Sequence, residues 1–355
     1  MASRRVSRSA APTELGSAVD IPASVAGAVA AVVTAVAIYL GSRSLQTFDA
    51  ALIGYATATI FLAFGVAYRY VLWVRSPPAM RYLRRGWSSF LSFRNFRRFP
   101  TLVPRALVSN LALQTFIARR GPGRWLAHQA VFWGVVLATL ITFPLTFGWI
   151  SFETVGSGSR YAVVVWGFRT ITFDPLSWLG WLIFHALDAA AVLVIAGCAF
   201  FLWRRFRDRE VTTGQRLGYD FLPLVALVAI SVTGLLLTLS SAVLDGEGYD
   251  FLAVIHMATV VLTLVFIPFG KFFHVIQRPA SLGVEVYKRT SMEREGVAHC
   301  RRCGEPLEAA TFVKDLELTM GELGLRYADW VETCPRCKRV LRGEAYLRDV
   351  KRGSS

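Results

Sequence analysis

Six long apolar segments constrain the fold of this chain more than any other feature. They lie at 21–41, 50–74, 126–149, 177–203, 220–243 and 250–275. About 20 apolar residues are needed for a helix to cross a hydrocarbon core of roughly 30 Å, and each segment is that long. Because 54% of the 355 residues are hydrophobic, the composition excludes an ordinary water-soluble domain. The sequence predicts an all-α membrane protein with a six-helix transmembrane bundle.

The first apolar segment has features of a cleaved signal peptide. Arg4, Arg5 and Arg8 precede an Ala/Val-rich run, as basic residues precede the apolar core of a secretion signal. The run is longer than the apolar core of such a signal, so we interpret it as a retained anchor that follows a basic tail at 1–20.

The distribution of arginine predicts the orientation of the bundle. The stretch from Arg75 to Arg124 contains 11 arginines and no acid, and 204–216 contains five arginines and two acids. The connections on the other side, 42–49, 150–176 and 244–249, contain three arginines in total. The positive-inside rule therefore predicts that both termini are cytoplasmic. The transmembrane domain is predicted at 21–280, and a separate cytoplasmic domain at 281–355.

A net charge of +15 raises the question of nucleic-acid binding, particularly because aromatic residues alternate with arginines in Ser88 to Phe99. This run belongs to the cytoplasmic connection 75–125, directly beside the bilayer. A basic amphipathic helix there buries phenylalanines at the lipid boundary and places arginines against anionic headgroups. The sequence favours lipid, and no nucleic acid, as the partner of this loop.

Four of the five histidines fall in or beside the apolar segments, namely His128, His185, His256 and His274. The predicted topology places His128 and His274 near the cytoplasmic side, and His185 and His256 near the outer side. On one continuous helix, the 18 residues from His256 to His274 make about five turns, so both imidazoles leave the same face about 27 Å apart.

Histidines matched in depth indicate haem. A six-coordinate haem iron takes one neutral imidazole from each of two helices at the same level. The residues therefore predict two b haems, held by His128 with His274 and by His185 with His256. The alternative is that each histidine is hydrogen-bonded to a neighbouring helix, as isolated polar residues in membranes often are.

Two segments, His256 to Pro279 and Arg124 to Gly134, resemble a known family. They are similar to the membrane cytochrome b (gamma) subunit of respiratory nitrate reductase and to haem subunits associated with heterodisulfide reductase-like proteins. The resemblance implies that His128, His256 and His274 are haem ligands. That family takes its fourth ligand ten positions after the equivalent of His128, where this chain has Ala138. His185 would have to replace it.

Three further residues have a predicted role and an alternative one. Arg124 and Lys271 flank the inner histidines and would neutralise haem propionates, or they follow the positive-inside rule. Asp188 lies one turn after His185 inside the bilayer, where it would transfer protons to or from a quinone or accept a hydrogen bond from a neighbouring helix. The quinone itself, menaquinone or ubiquinone, is implied by the family resemblance.

The tail contains two Cys-x-x-Cys motifs 30 residues apart, made by Cys300 and Cys303 and by Cys334 and Cys337. Four thiolates at this spacing are typical of a structural zinc ribbon, a rubredoxin-like iron uses the same spacing, and free thiols or disulfides are the remaining alternative. The segment between the motifs, Leu307 to Glu332, is expected to contain a short helix. His299 is not expected to be a ligand because four cysteines complete the shell. Cys198, alone in a span, is expected to serve packing.

The sequence therefore predicts a dihaem cytochrome b subunit in the bacterial cytoplasmic membrane. It would carry electrons between quinone and cytoplasmic iron–sulfur and catalytic subunits, where the main substrate chemistry takes place. Whether the chain itself counts as an enzyme stays open. The alternatives are a transporter or assembly scaffold with a zinc-ribbon tail and, closer in class, the cytochrome b of a hydrogenase or formate dehydrogenase.

Overall fold

The computed structural model describes residues 19–46, 48–156, 160–207, 217–325 and 328–353. The helices, in chain order, are α1 Ile21–Gly41, α2 Ile53–Arg75, α3 Pro77–Phe90, α4 Phe93–Arg98, α5 Leu102–Ala106, α6 Thr115–Ala118, α7 Pro122–Thr146, α8 Trp178–Arg207, α9 Leu222–Val243, α10 Tyr249–Phe266, α11 His274–Ala280, α12 Leu282–Glu295, α13 Ala310–Glu322, α14 Ala328–Val331 and α15 Pro335–Gly353. The strands are β1 Ile150–Val155, β2 Arg160–Val165, β3 Phe168–Phe173, β4 Val297–His299 and β5 Pro306–Ala309.

Six of these helices, α1, α2, α7, α8, α9 and α10, are long and apolar enough to cross a membrane, which confirms the predicted number of spans. They pack in the order α1, α2, α10, α9, α8, α7. Side chains of α2, α7 and α10 also line a cavity that is partly open to the surroundings. Only 11–22% of the most apolar stretch of each span is buried, as expected of helices whose outer faces contact lipid.

Small residues allow α7 and α8 to pack closely. A Cβ at Gly134 would lie 2.8 Å from the carbonyl oxygen of Ala190, and a Cβ at Gly197 would lie 2.6 Å from that of Ala127. Both distances are too short for a side chain, so the two backbones touch at these points. Glycine at close helix crossings is the usual packing device in membranes, where no water drives association.

The last transmembrane helix differs from the prediction. Instead of one helix over 250–275, α10 ends at Phe266, and a turn with a short 3-10 segment, Lys271–Phe273, precedes α11. Pro268 explains the break, because it has no N–H and its ring clashes with the preceding turn of a helix. His256 and His274 therefore lie on different helices, and the inference that one rod fixes their separation was wrong.

The connection between α7 and α8 is a three-stranded antiparallel sheet, although the sequence predicted only helices for the fold. Its strand order is β1-β2-β3, with Ile150 paired to Val165 and Val165 to Phe168. Phe173 and Phe152 of this sheet pack on Phe184 near the start of α8, with ring centroids 6.0 and 5.7 Å away. The prediction of an all-α fold is corrected accordingly.

The basic connection between α2 and α7 packs against the C-terminal domain. Helix α3 crosses α12, and α13 packs on both. Arg85 of α3 forms an ion pair with the buried Asp315 of α13 at 2.8 Å, and Arg294 of α12 donates to Asn95 of α4 at 2.7 Å. Several of the loop's cationic and polar groups therefore face the tail rather than lipid headgroups. At the same time Leu91 and Phe93 are each 72% exposed.

Candidate functional site

The structure places His128 and His274 within electrostatic reach of each other. His128 lies in the second turn of α7, on the same face as Thr142 and Thr146, which follow it by 14 and 18 residues, close to whole numbers of turns. Those threonines line the cavity between α2, α7 and α10, so this face of α7 points into the bundle. The imidazoles of His128 and His274 lie close enough to interact electrostatically, and Arg278 interacts with His128 in the same way.

The ring nitrogens of this pair are in different states. Nδ1 of His274 donates to the carbonyl oxygen of Lys271 at 2.5 Å, which leaves Nε2 with its lone pair free for a ligand bond. Nδ1 of His128 is buried and has no hydrogen-bond partner among the described residues. A buried polar nitrogen without a partner costs about 1–3 kcal/mol. A bound group that engages this imidazole would remove that cost.

The other two histidines have different surroundings. His256 points from α10 toward α9, where its Nδ1 lies 2.9 Å from Thr233 Oγ1 and its Cε1 would lie 3.4 Å from a Cβ at Gly234. The hydroxyl of Thr233 donates to the carbonyl oxygen of Ala229 at 2.7 Å. The imidazole is therefore the donor at Nδ1, and its Nε2 is free.

His185 lies on an exposed side of α8. Its ring stacks on Trp181 with centroids 4.9 Å apart, and its Nδ1 donates to the carbonyl oxygen of Trp181 at 2.9 Å. Trp178, Trp181 and Val192 on this side are 76%, 61% and 57% exposed. The predicted pairing requires His185 to face His256. In the structure the two side chains point into different surroundings, and His185 points toward the lipid-exposed side.

The predicted accessory residues have the following contacts. Lys271 forms an ion pair with Asp220 and lies 5.6 Å from the ring centre of Tyr219, so its charge is already paired with a protein carboxylate. Arg124 lies in the first turn of α7, one turn before His128. Asp188 accepts a hydrogen bond from Thr238 of α9 at 2.8 Å, which is the alternative role that the sequence left open.

The sequence did not identify one functional candidate, Arg69 of α2. Its Nη1 donates to the carbonyl oxygens of Pro268 and Gly270, and its guanidinium carbon lies 4.4 Å from the ring centre of Phe273. The available signal was a basic residue inside an apolar span, because such residues rarely lack a partner in the membrane. The sequence could not show that the partner is a break in another helix.

The four cysteines of the tail meet as predicted. The sulfur atoms of Cys300, Cys303, Cys334 and Cys337 all lie within 4.8 Å of one another. Thiolates about 2.3 Å from a tetrahedral zinc ion stand about 3.8 Å apart, and the Sγ atoms of Cys303 and Cys334 are 3.7 Å apart. The cluster therefore fits one tetrahedral metal ion. His299, in β4, is not part of the cluster, and Cys198 is buried in α8.

Backbone amides prepare this cluster for a cation. The N–H of Cys334 donates to Cys300 Sγ at 3.3 Å, and the N–H of Cys337 donates to Cys334 Sγ at 3.4 Å. The bond from the Cys334 amide is the main reason that the pKa of Cys300 is lowered from 9.0 to about 6. Because metals bind the thiolate form, a lowered thiol pKa favours metal binding at neutral pH.

Comparison of the chain with family models, with curated proteins and with solved structures found no match.

Proposed function

We propose that the protein is a b-type cytochrome subunit that carries electrons between a membrane quinone and a cytoplasmic redox partner. The observation that supports this most directly is the proximity of His128 and His274, whose imidazoles interact electrostatically. The two residues are on separate helices 146 positions apart in sequence, and both imidazoles belong to the group of residues that ligate haem iron. The resemblance to nitrate reductase gamma and heterodisulfide reductase-associated subunits is part of this proposal.

The residues around the inner pair fit a haem. The Lys271 carbonyl fixes the tautomer of His274 and raises its basicity, as the second shell of a metal ligand does. Arg278 and Arg124 supply positive charge near His128 for the carboxylates of a porphyrin. A bound haem supplies reversible one-electron chemistry, while the apolar helices supply a low-dielectric sheath that excludes water.

The proposal includes a second haem between His185 and His256. In support, Nδ1 of each ring donates within the protein, which leaves both Nε2 atoms available. The pairing requires the His185 ring to leave Trp181 and turn inward. Asp188 one turn further along α8 is then the group we propose for proton exchange with menaquinone or ubiquinone, after release from Thr238.

In this proposal the tail holds zinc in a structural site and presents a docking surface for iron–sulfur and catalytic subunits. Four protein ligands leave no open coordination position, so the metal shapes the fold rather than reacting. The structure also supports a cytoplasmic platform, because α3 and α12 form one packed unit with this tail. The bacterial inner membrane remains the proposed location.

The test is a reduced-minus-oxidised absorption spectrum of the purified full-length protein. We expect b-haem bands that weaken strongly in His128→Ala and in His274→Ala. His299→Ala is the matched control, because this exposed histidine lies outside the bundle, and its spectrum should equal that of the wild type. A colourless wild-type preparation would contradict the proposal and favour the alternative of a transporter or assembly scaffold. A partner bound on the outer side would favour a hydrogenase- or formate dehydrogenase-type cytochrome.

A further inference from the structure

The break between α10 and α11 leaves backbone groups that a continuous helix would satisfy. Pro268 has no N–H to donate, and the backbone turns at Pro268 and Gly270 before the 3-10 segment begins. Pro268 is fully buried, so water does not replace the missing bonds there. In a membrane each unsatisfied backbone group costs several kcal/mol, and breaks in helices persist only where a neighbouring helix supplies partners.

One face of α2 supplies these partners. Phe61, Gly65 and Arg69 are spaced by four residues and therefore lie along one side of the helix. The Phe61 ring lies 6.2 Å from that of Phe269. A Cβ at Gly65 would lie 2.7 Å from Cγ of Pro268, so only glycine leaves room for the proline ring at this point.

Arg69 completes this face with three contacts. It donates to the carbonyl oxygens of Pro268 and Gly270 and stacks over the ring of Phe273, which is itself 2% exposed. Phe273 immediately precedes His274. The guanidinium therefore holds both ends of the short segment that determines where the His274 imidazole points.

We infer that Arg69 is a positioning residue for His274, and that it sets the geometry and the electrostatic environment of the inner imidazole pair through the break. The haem part of this inference rests on the proposed function. Arginine suits the role because its planar fork donates to carbonyls while its face stacks on an aromatic ring. Lysine keeps the charge and can donate to the carbonyls, but it does not reproduce the stacking.

Hydrogen–deuterium exchange of the full-length protein in lipid nanodiscs tests whether Arg69 holds the segment before His274. This experiment does not require haem. In Arg69→Gln we expect the amides of 269–274 to exchange about tenfold faster or more, because bonds between a charged donor and buried carbonyls are lost. Arg69→Lys should restore part of the protection. Arg75→Gln is the control, since Arg75 lies at the exposed end of the same helix and pairs with Asp20 at 2.8 Å.

Redox titration tests whether Arg69 sets the environment of the proposed inner haem. Arg69→Gln should lower the midpoint potential of the inner haem and alter its low-spin ferric signal, because a positive charge is lost and the His274 ring is released. Arg69→Lys should keep much of the potential and still show the altered signal. If Arg69 only stabilised another part of α2, Arg69→Gln would change neither the midpoint potential nor the ferric signal.

The outcomes separate the two proposals. Exchange over 269–274 that is equal in wild type, Arg69→Gln and Arg69→Lys would overturn the role of Arg69, even if the protein binds haem. A colourless wild type with accelerated exchange in Arg69→Gln would support Arg69 as the group that holds this segment and would overturn the proposed function. If Arg69→Gln does not accumulate, Arg69→Lys decides, with protection intermediate or lower supporting the inference and full protection overturning it.

Discussion

Gly86 of α3 and Gly283 of α12 meet backbone to backbone. A Cβ at Gly283 would lie 2.5 Å from the carbonyl carbon of Gly86, and a Cβ at Gly86 would lie 2.9 Å from that of Gly283. No side chain fits between the two helices at this point. The crossing fixes the basic loop that follows α2 against the domain that follows α11, so these two regions form one packed unit.

Gly283→Leu should therefore separate α3 from α12. Inserting a side chain into a closed contact typically costs about 1–3 kcal/mol, and we expect a lower melting temperature and faster proteolysis after α11. Gly321→Leu is the control, because Gly321 in α13 has nothing within 4 Å of its Cβ position. Equal melting temperatures for Gly283→Leu and the wild type would contradict the observed crossing.

Arg85→Met should destabilise the same unit through Asp315. Asp315 is 1% exposed, and it receives a hydrogen bond from Tyr287 at 2.6 Å as well as the ion pair with Arg85. Removing one partner of a buried charge is costly, and since Arg85 is half exposed we expect a loss on the order of 2 kcal/mol. Denaturant unfolding measures the loss. The exposed neighbour Arg84, changed to Met, should have little effect.

Removal of the tail metal should open the two cysteine knuckles. We expect one zinc per chain by metal analysis, and faster proteolysis of 297–337 after treatment with a chelator. Cys334→Ser should abolish stoichiometric zinc, whereas Cys198→Ala should retain it because Cys198 is buried in α8. A coloured iron centre in place of zinc would correct the metal but keep the site.

The lowered pKa of Cys300 predicts how many protons zinc displaces. This thiol has a pKa of about 6, so at pH 7.5 it is already a thiolate and has no proton to release. Because Cys300 needs no deprotonation, zinc binding should release fewer than four protons. Calorimetry in buffers of different ionisation enthalpy gives the number.

The same pKa has a defined sign for stability. A thiol whose pKa is depressed by folding stabilises the folded form at pH 9 and above, and this contribution is lost as the pH falls from 9 through about 6. Four released protons in the wild type would show that Cys300 is not preionised.

Haem content tests the outer histidine pair. We expect two haems per chain in the wild type and one in His185→Ala, because His256 alone cannot complete a six-coordinate iron. His299→Ala should keep both. One haem in the wild type, unchanged in His185→Ala, would mean that His185 stays stacked on Trp181 and that the bundle holds the inner haem alone.

The sequence predicted the parts of this structure that depend on local composition. Apolar runs of sufficient length located all six spans, because crossing a bilayer demands a minimum length. The spacing of Cys300, Cys303, Cys334 and Cys337 located the metal cluster for a similar reason, since two knuckles present four thiolates to one ion. A helix between the two knuckles was also expected, and α13 confirms it.

Other parts depend on contacts that hydropathy does not record. The run from His256 to His274 is mostly apolar, so the break at Pro268 was hidden although the proline was visible. Arg85 and Asp315 are 230 residues apart in sequence, and nothing local marks them as partners. In the β1–β3 sheet, the alternation of apolar and polar side chains is weak beside the aromatic content, so the sequence predicted no strands there.

The break in the last span also changes how the positions of His256 and His274 depend on each other. On a single rod, His256 and His274 would move together, and any shift of one would be transmitted to the other. With the backbone interrupted at Pro268, the inner imidazole is mechanically attached to α2 and to the cytoplasmic unit. A shift of the packed unit formed by α3, α12 and α13 therefore has a direct route to His274 that leaves His256 undisturbed.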